Sequence, residues 1–599
     1  VLVKVLNEIP EDPDLSEAWN SLVLGMENPE VFLTYQWALA AGRGFQSRLS
    51  PRLFLLYEAE QLMGVAALAL DPDAPQALFF LTSSTADYCD VVSAPATRRQ
   101  VLHELLNEIR RLGFRDMVFA NVPANSATLD SLAAAAGPQR FYVTSRPAYN
   151  CGVVELSGEE QREALLQNLT AKSREKRALK RLTNLGAVKV IHLTEAEQIG
   201  PSVESIISAQ ISRFLASERV SPLVGSERRA FLRHLGNLLS QSGWLKISQL
   251  EINDRPVAWN YGFRFGGSWF WYLPTFQMDY EHVSPGSCLL RLLVEQGAKD
   301  SSLSRLDLGL GDEAYKDRFA NKVRQTRYVH ITRGMVRHAL STARESLSSL
   351  AARHPALGDK LRRARDFIGA AIVRVQDMGA IGTMRFLGRK LTKSLASEDE
   401  VLLFEASAVS TDVPSRLVRL TREHLVEASI LYPSDRETLR YLMRCARRLN
   451  QRVASGFVLS DDSGQPVHFL WMQAYDGFRL DEIDYTLEAN MSSATMIFDC
   501  WTPSARRGHG YYAAALRQAA AQLRREGKSP WIFSGARNQF SWRGILKAGF
   551  EYRFSLIRRS RFGHSTVVGR DVTAAFPQRP ATIPPKSVPA RRDDIAVNS

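Results

Sequence analysis

Apolar positions follow two rhythms along this chain, and the alternation between them sets out its organisation. "SEAWNSLV" (16–23), "EVFLTYQWALAAG" (30–42) and "ATRRQVLHELLNEIRRLG" (96–113) repeat their apolar residues at three- and four-residue spacing, which predicts helices. "RLFLLYEAEQLMGVAALAL" (52–70) predicts two strands about a turn, and "DMVFANV" (116–122) a buried strand. From residue 146 to about 333 the same order returns. The strand "YNCGVVEL" leads into a basic helix, "NLTAKSREKRALKRLTNLG" (168–186), and more helices follow. Then come a strand pair, "WLKISQLEINDRPVAWNYGFRFGGSWFWYLPTF" (244–276), the helix "SPGSCLLRLLVEQGAKD" (284–300) and the strand "LSRLDLGLG" (303–311). No residue-by-residue repeat links the two zones; the shared feature is the order of strands, helix and strand.

Residues 334–396 read as almost wholly helical, with cations well in excess of carboxylates. Residues 397–566 return to alternating strands and helices, and 567–599, rich in proline, read as a disordered tail. At 599 residues the chain exceeds what one core supports, so several domains are expected. Its 45% hydrophobic and 23% charged content is that of a globular protein, and no apolar run reaches the roughly 18 residues of a membrane span. The opening "VLVKVLNEIPEDPDL" reads as no secretory signal. Five scattered cysteines suit a reducing cytoplasm and offer no metal-ligand spacing. The net charge of +13 favours anionic partners without choosing among phosphates, nucleic acid and acidic membrane.

Candidate chemistry gathers at two places. In "SARRGHGYYAAALRQ" (504–518), a strand, "ATMIFDCW", gives way to a basic glycine loop and at once to a helix. A helix start carries unpaired N–H groups and the positive end of a dipole, and glycines let an anion approach the backbone. Arg507, Gly508, His509, Gly510 and Tyr511 therefore read either as a diphosphate cradle or as a tight strand-to-helix connection. In the middle zone, Ser284, Pro285 and Gly286 open a helix, as a second cradle or an ordinary cap. Asp312, Glu313, Tyr315 and Lys316 follow a strand end directly, so that carboxylates, a phenol and a cation meet at one mouth; the alternative is a surface ion-pair cluster. The basic helix reads as a solvated face or as a surface for coenzyme A phosphates, acidic polymer or tRNA.

Two ordered motifs about 30 residues apart give the 400–560 stretch its resemblance to the Gcn5-related N-acetyltransferase (GNAT) superfamily. Arg507 and Gly510 match the cofactor loop, with Tyr512 where glycine or alanine is usual. Asn538, Ser541, Lys547, Gly549 and Phe550 match a later helix. The resemblance implies that the strands near 497–501 and 531–533 splay apart around the arm of an acyl-coenzyme A. Ile545 stands where the family often has a tyrosine acid. Tyr552 is a nearby substitute, Asp499 and Glu482 are candidate bases, and Asn538 is a further candidate at the reacting centre. Residues 1–333 resemble the CelD-type acetyltransferase-like family, a tandem of two such folds. That likeness rests on Gln36-Trp37, "ADYCDVV" (86–92), the basic helix, "YEHVSPGSCLL" (280–290) and the run from Gly311 to Ala320.

The resulting expectation is an α/β chain of tandem GNAT-like folds, with mixed central sheets flanked by helices. The divisions are 1–145, 146–333, a basic helical connector over 334–396, a GNAT domain over 397–566 and the tail. The expected activity is acyl-CoA-dependent N- or O-acyl transfer, with acetyl-CoA or another acyl-CoA as co-substrate and no metal. The acceptor is a sugar or small metabolite, as in cell-surface polysaccharide synthesis. A Fem-like transferase using aminoacyl-tRNA, the one case in which nucleic acid is a partner, and a non-catalytic coenzyme A-binding scaffold are the alternatives. The expected location is cytoplasmic, with peripheral contact at the inner membrane surface if 334–396 binds acidic lipid.

Overall fold

The computed structural model describes residues 1–171, 173–311, 313–336, 338, 339, 342, 396–406, 412–451, 454–488, 493–561 and 564–571. Asp312, nearly all of the 334–396 connector and residues 572–599 lie outside the described residues. The described residues form two compact units. One takes those between 1 and 371 together with 422–450; the other takes the remainder.

The first unit is built twice over. Its opening half runs β1 (Leu2–Leu6), α1 (Pro13–Leu24), α2 (Tyr35–Gly44), β2 (Ser50–Glu58), β3 (Gln61–Asp71), β4 (Ala74–Phe80), β5 (Val92–Ser93), α3 (Arg98–Arg111), β6 (Asp116–Pro123), α4 (Ala127–Ala136) and β7 (Tyr142–Glu155). The second half runs α5 (Glu159–Ala171), α6 (Ser173–Thr183), β8 (Val188–Leu193), α7 (Ala196–Ala216), α8 (Ser226–Gln241), β9 (Leu245–Ile252), β10 (Arg255–Phe265), β11 (Ser268–Phe276), α9 (Pro285–Lys299), β12 (Arg305–Leu310) and β13 (Lys322–Thr332). The stretch expected as a strand pair is three strands, β9 to β11. Two-residue turns at Asn253-Asp254 and Gly266-Gly267, all four residues at positive φ, cut it twice. Such turns match the twist of the strands they join.

One continuous sheet holds both halves, in the order β1-β2-β3-β4-β6-β13-β7-β12-β11-β10-β9-β8, with β5 beside β3. Within each half an antiparallel run ends in a single parallel pair, β4 with β6 and β11 with β12. The halves then exchange strands. β13, the last strand of the second half, lies beside β6, and β7, the last of the first, lies beside β12. Between them β13 and β7 pair from Lys322↔Val153 to Thr332↔Tyr142. The chain position between 145 and 146 therefore falls inside one strand.

Aromatic packing closes the seam between the halves. Phe32 and Trp37 of the first half meet Phe263, Phe270 and Tyr272 of the second at ring separations of 5.2 to 5.9 Å. Trp37 is fully buried and its indole N–H donates to Thr85 at 3.1 Å. Burial of each such ring is worth about 1.5–3 kcal/mol. A buried ion cluster ties the same seam. Glu30, with no exposure, meets Arg305 at 3.1 Å and Arg324 at 2.7 Å, and Arg324 also meets the buried Asp307 at 3.0 Å. Burial raises the Glu30 carboxyl above its ordinary range, against the lowering pull of both arginines. Two later helices, α10 (Arg422–Leu431) and α11 (Arg436–Gln451), belong to this unit. Arg422 pairs with Asp279 at 3.2 Å, and Arg447 with Glu218 at 2.7 Å.

The second unit holds β14 (Ala396–Glu405), β15 (Leu417–Arg419), β16 (Ser455–Ser460), β17 (Pro466–Ala474), the small hairpin β18 (Arg479–Leu480) and β19 (Tyr485–Thr486), β20 (Ala494–Trp501), α12 (Tyr511–Arg525), β21 (Ser529–Gly535), α13 (Gln539–Lys547), β22 (Glu551–Arg561) and β23 (His564–Asp571). Its sheet runs β15-β16-β17-β20-β21-β14-β22-β23. Again one parallel pair, β20 with β21, sits mid-sheet, and again the strand beyond it comes from elsewhere in the chain: β14 precedes the fold it completes. The expected tail begins later than 567, because Val567 to Asp571 continue the β23 ladder against β22.

Candidate active site

Each parallel pair is a place where the sheet can open. Pairing of β11 with β12 stops at Phe270↔Asp307, although β11 runs on to Phe276 and β12 to Leu310. Pairing of β20 with β21 stops at Ile497↔Ile532, although the strands reach Trp501 and Gly535. In the first half β4 ends at Phe80, one residue beyond its last pair with β6. There the chain between β4 and β5 lies against β6: Cys89 N donates to Asn121 O at 3.0 Å, and Asn121 Nδ2 to Ala86 O at 3.0 Å.

That segment contains the two aspartates of "ADYCDVV", and the fold separates their roles. Asp90 is buried and saturated, accepting from Ser126 and Thr128 at 2.5 Å each, with Arg98 at 3.5 Å. Asp87 instead reaches the parted end of β12. A Cβ on Gly309, at φ 73°, would come within 2.5 Å of Asp87 Oδ2, so only glycine permits the approach. Leu310 N–H donates to the Asp87 carboxylate. Burial, then the nearby charge of Asp307, raise its carboxyl to about 7, against the lowering pull of Lys316, the Leu310 amide and Arg228. A carboxyl in this range exchanges protons at neutral pH.

Asp87 stands in the wall of a cleft of about 600 Å³ that is also lined by Asn121, Arg146, Tyr149, Arg228, Tyr272 and Tyr328. Tyr272 Oη donates to Thr85 O at 2.6 Å, and Arg228 Nη1 donates to Ser84 O. Side chains alternate across β11, so Trp271 faces the other way and packs with Cys288 and Leu289 of α9. The cleft and the start of α9 thus lie on opposite faces of the sheet at the same opening.

The start of α9 has the features of an anion cradle. Ser284, at φ 55°, occupies the cap position without a side-chain cap bond, and Pro285 follows. Gly286 leaves 3.4 Å between a would-be Cβ and the Phe276 ring. Ser284 and Ser287 share a cavity of about 80 Å³ with Arg174, Arg181 and Arg318, of which Arg318 meets the buried Glu175 at 3.1 Å. Arg213 lies beside the same element, its guanidinium 5.7 Å from the Phe276 ring centroid. Its buried Nε has no partner among the described residues, and burial holds its pKa below the ordinary value. A half-buried guanidinium with an unsatisfied Nε near a helix start suits an anionic group.

The other sequence candidates of the middle zone divide. Lys316 is buried and donates to Leu310 O at 2.6 Å, with Glu313 at 2.7 Å; it holds the strand end in place. Tyr315 Oη accepts from Trp271 Nε1 at 3.2 Å, and burial raises its phenol above the ordinary value. Glu313 is exposed and Asp312 lies outside the described residues.

In the second unit the glycine loop is open. Gly508 and Gly510 have φ of 85° and 82°, and a Cβ on either would meet nothing within 4 Å. α12 begins at Gly510 without a side-chain cap, and no amide from Gly508 to Tyr512 donates to a described residue. His509 Nδ1 meets Arg507 O at 3.0 Å, its ring stacks on Tyr511 at 6.0 Å, and the Arg507 guanidinium covers Trp501 at 5.1 Å. Behind the loop, however, Tyr512 crosses from α12 to α13. Its Oη meets Ser541 Oγ at 3.1 Å, and a Cβ on Gly544 would lie 2.5 Å from its ring. On the sheet side it meets the His468 ring at 5.6 Å. His468 is buried with Nδ1 against Thr502 Oγ1 at 2.7 Å, and burial lowers its pKa to about 3. Asn538 caps α13, accepting from Ser541 N at 3.2 Å. Tyr552 packs edge-on to Phe404 at 5.9 Å, and Ile545 is fully buried. Asn538 and Tyr552 thus serve the framework of the second unit, as a helix cap and a packed ring.

The sequence singles out Asp312, Glu313, Tyr315 and Lys316 but not Asp87, Arg228 or Tyr272. The signal for Asp87 is present in "ADYCDVV", but nothing local distinguishes it from Asp90.

Residues 171–317 match a family model described as an acetyltransferase (GNAT) domain. No curated protein matches the sequence. Among solved structures, FemX is similar at 9% identity over 52% of this chain and 95% of its own, with a TM-score of 0.39. The C-terminal domain of an Agrobacterium fabrum protein, provisionally described as a lysylphosphatidylglycerol synthetase, is similar at 12% identity over 55% and 94%, with a TM-score of 0.38. A tandem GNAT protein from the clavulanic acid pathway is similar at 10% identity over 55% and 98%, with a TM-score of 0.33.

Proposed function

We propose that this chain, which carries a GNAT-type acyltransferase domain at residues 171–317, transfers an acyl group from acyl-CoA at the opening between β11 and β12. The acceptor is an amine or hydroxyl of a sugar or small metabolite, and it enters the cleft beside Asp87. The observation that carries this reading is the placement of Asp87 at the parted strand end, with its carboxyl raised to about 7. When bound, the co-substrate supplies the activated acyl thioester. Ser284, Ser287, Arg174, Arg181 and Arg213 would hold its phosphates. Asp87 Oδ2 takes the proton from the acceptor's nucleophilic atom. Tyr315 Oη accepts from Trp271 and keeps its own proton at neutral pH, so it can supply one on the α9 face. The resemblance of residues 1–333 to the CelD-type family supports an acceptor from cell-surface polysaccharide synthesis.

The open loop from Arg507 to Tyr511 is a second place for an acyl-CoA diphosphate, but Tyr512 fills the space behind it. We therefore assign the transfer to the first unit and read the second as a non-catalytic partner. A Fem-like reading with aminoacyl-tRNA has one observation in its favour: Arg174, Lys176, Lys180 and Arg181 are exposed along α6, beside the α9 cavity. Titration of the full chain with acetyl-CoA, followed by thiol release with a panel of amino sugars, tests the proposal. Binding with turnover that Asp87→Asn abolishes supports it. Activity that ribonuclease removes supports the tRNA reading instead.

A further inference from the structure

The cleft beside Asp87 has a charge pattern that constrains what enters it. Its charged members are Asp87, Arg146 and Arg228. Neither arginine forms an ion pair with a described residue. Arg228 is anchored, one arm of its guanidinium spent on Ser84 O, and its charge is felt at both Asp87 and Tyr272. The Arg146 guanidinium sits over the Tyr328 ring, 4.3 Å from its centroid, at an exposed edge of the cleft. Guanidinium groups held this way, one by a carbonyl and one by an aromatic face, keep free N–H forks suited to carboxylate or phosphate. The cavity of about 600 Å³ lies within the usual range for small-molecule sites, which leaves room for a sugar bearing such a group.

We infer that the acceptor is anionic: a nucleophilic amine or hydroxyl on a small molecule that also carries a phosphate or carboxylate, bound between Arg228 and Arg146 with its nucleophile toward Asp87. This deepens the proposed function and rests on that reading for the step that follows binding. The cost of desolvating the anion is offset by the two cations, and a neutral analogue would leave the half-buried Arg228 without a counter-charge in the occupied cleft.

The test is calorimetric titration of the full chain with glucosamine, glucosamine 6-phosphate, glucosaminic acid and inorganic phosphate, at low salt. At least one anionic amino sugar is expected to bind ten times more tightly than glucosamine, and the phosphate and carboxylate arms tell which oxyacid is preferred. Arg228→Gln should remove that advantage, Arg146→Gln should reduce it, and circular dichroism should confirm that both variants fold. Competition by inorganic phosphate in the unaltered protein gives the same information if Arg228→Gln fails to fold. Equal binding of the neutral and anionic sugars, or an anionic advantage untouched by either substitution and by phosphate, overturns the inference. An anionic advantage without thiol release from acetyl-CoA overturns the proposed transfer and leaves the inference standing. Transfer to glucosamine as efficient as to its phosphate does the reverse.

Discussion

The opening between β11 and β12 and the opening between β20 and β21 share a backbone plan and differ in what fills them. Each follows a parallel pair that stops short, each has a helix start at one side, and each borrows the strand beyond it from another part of the chain. At β11/β12 the strand end bulges at Gly309 to admit Asp87, and arginines gather at the start of α9. At β20/β21 the helix start is equally bare, but Tyr512 lies against Gly544 and Ser541, between α12 and α13. A fold therefore does not certify a site: one backbone plan carries a carboxylate and arginines at the first opening and a tyrosine packed between helices near the second.

The strongest way to break this comparison is Asp87→Asn. Acyl transfer should fall by about a hundred- to ten-thousandfold, the usual loss with a general base, while acetyl-CoA affinity stays within a factor of two. Single-turnover thiol release checks it, and an unchanged rate would remove Asp87 from the chemistry.

Next in size is Arg324→Met, which leaves Glu30 and Asp307 buried without their shared cation. A loss of about 3–5 kcal/mol is expected in urea unfolding of the first unit, as for other broken buried pairs. The unfolding of the second unit, followed by hydrogen exchange, should not move.

Tyr512→Gly sharpens the contrast from the other side. Calorimetry should find one acetyl-CoA per unaltered chain and a second, weaker site in the variant. Gly510→Trp, made in the otherwise unaltered chain, should leave acetyl-CoA binding as it was, and loss of all binding in that variant would return the donor site to the glycine loop.

The smallest effect is in pH. The Asp87 carboxyl is raised in the folded state, so unfolding releases its proton between about pH 4 and 7. Its contribution to stability is fully present below pH 4 and lost as pH rises through about 7. Asp87→Asn should accordingly raise the melting temperature more at pH 8 than at pH 5. As a base the same group predicts a transfer rate that climbs with pH and levels off above about 7.

Much of the fold was legible because it is local. Strand alternation, the glycine loop and the helix starts at Ser284 and Gly510 leave marks within a few residues of themselves. The exchange of β7 and β13 leaves none, since pairs such as Thr332↔Tyr142 join residues far apart in sequence with no pattern in between. The site divides in the same way. Tyr315 and Lys316 announce themselves beside a strand end, yet Lys316 is spent on the carbonyl of Leu310. Asp87 and Asp90 look alike in the sequence, and only contact with Gly309 on one side and Arg98 on the other sets one at a strand opening and the other in a saturated buried network. Tyr512 is the odd residue of its loop in the sequence, but its landing place on Gly544 depends on a helix that begins 27 residues later.

The exchanged strands also decide how this protein can be taken apart. Cleaved in the short link between β7 and α5, the first unit would yield two fragments, each lacking the central strand that the other carries. Neither should be soluble alone, and refolding them together from denaturant should restore the unit, as two interleaved combs hold only when both are present.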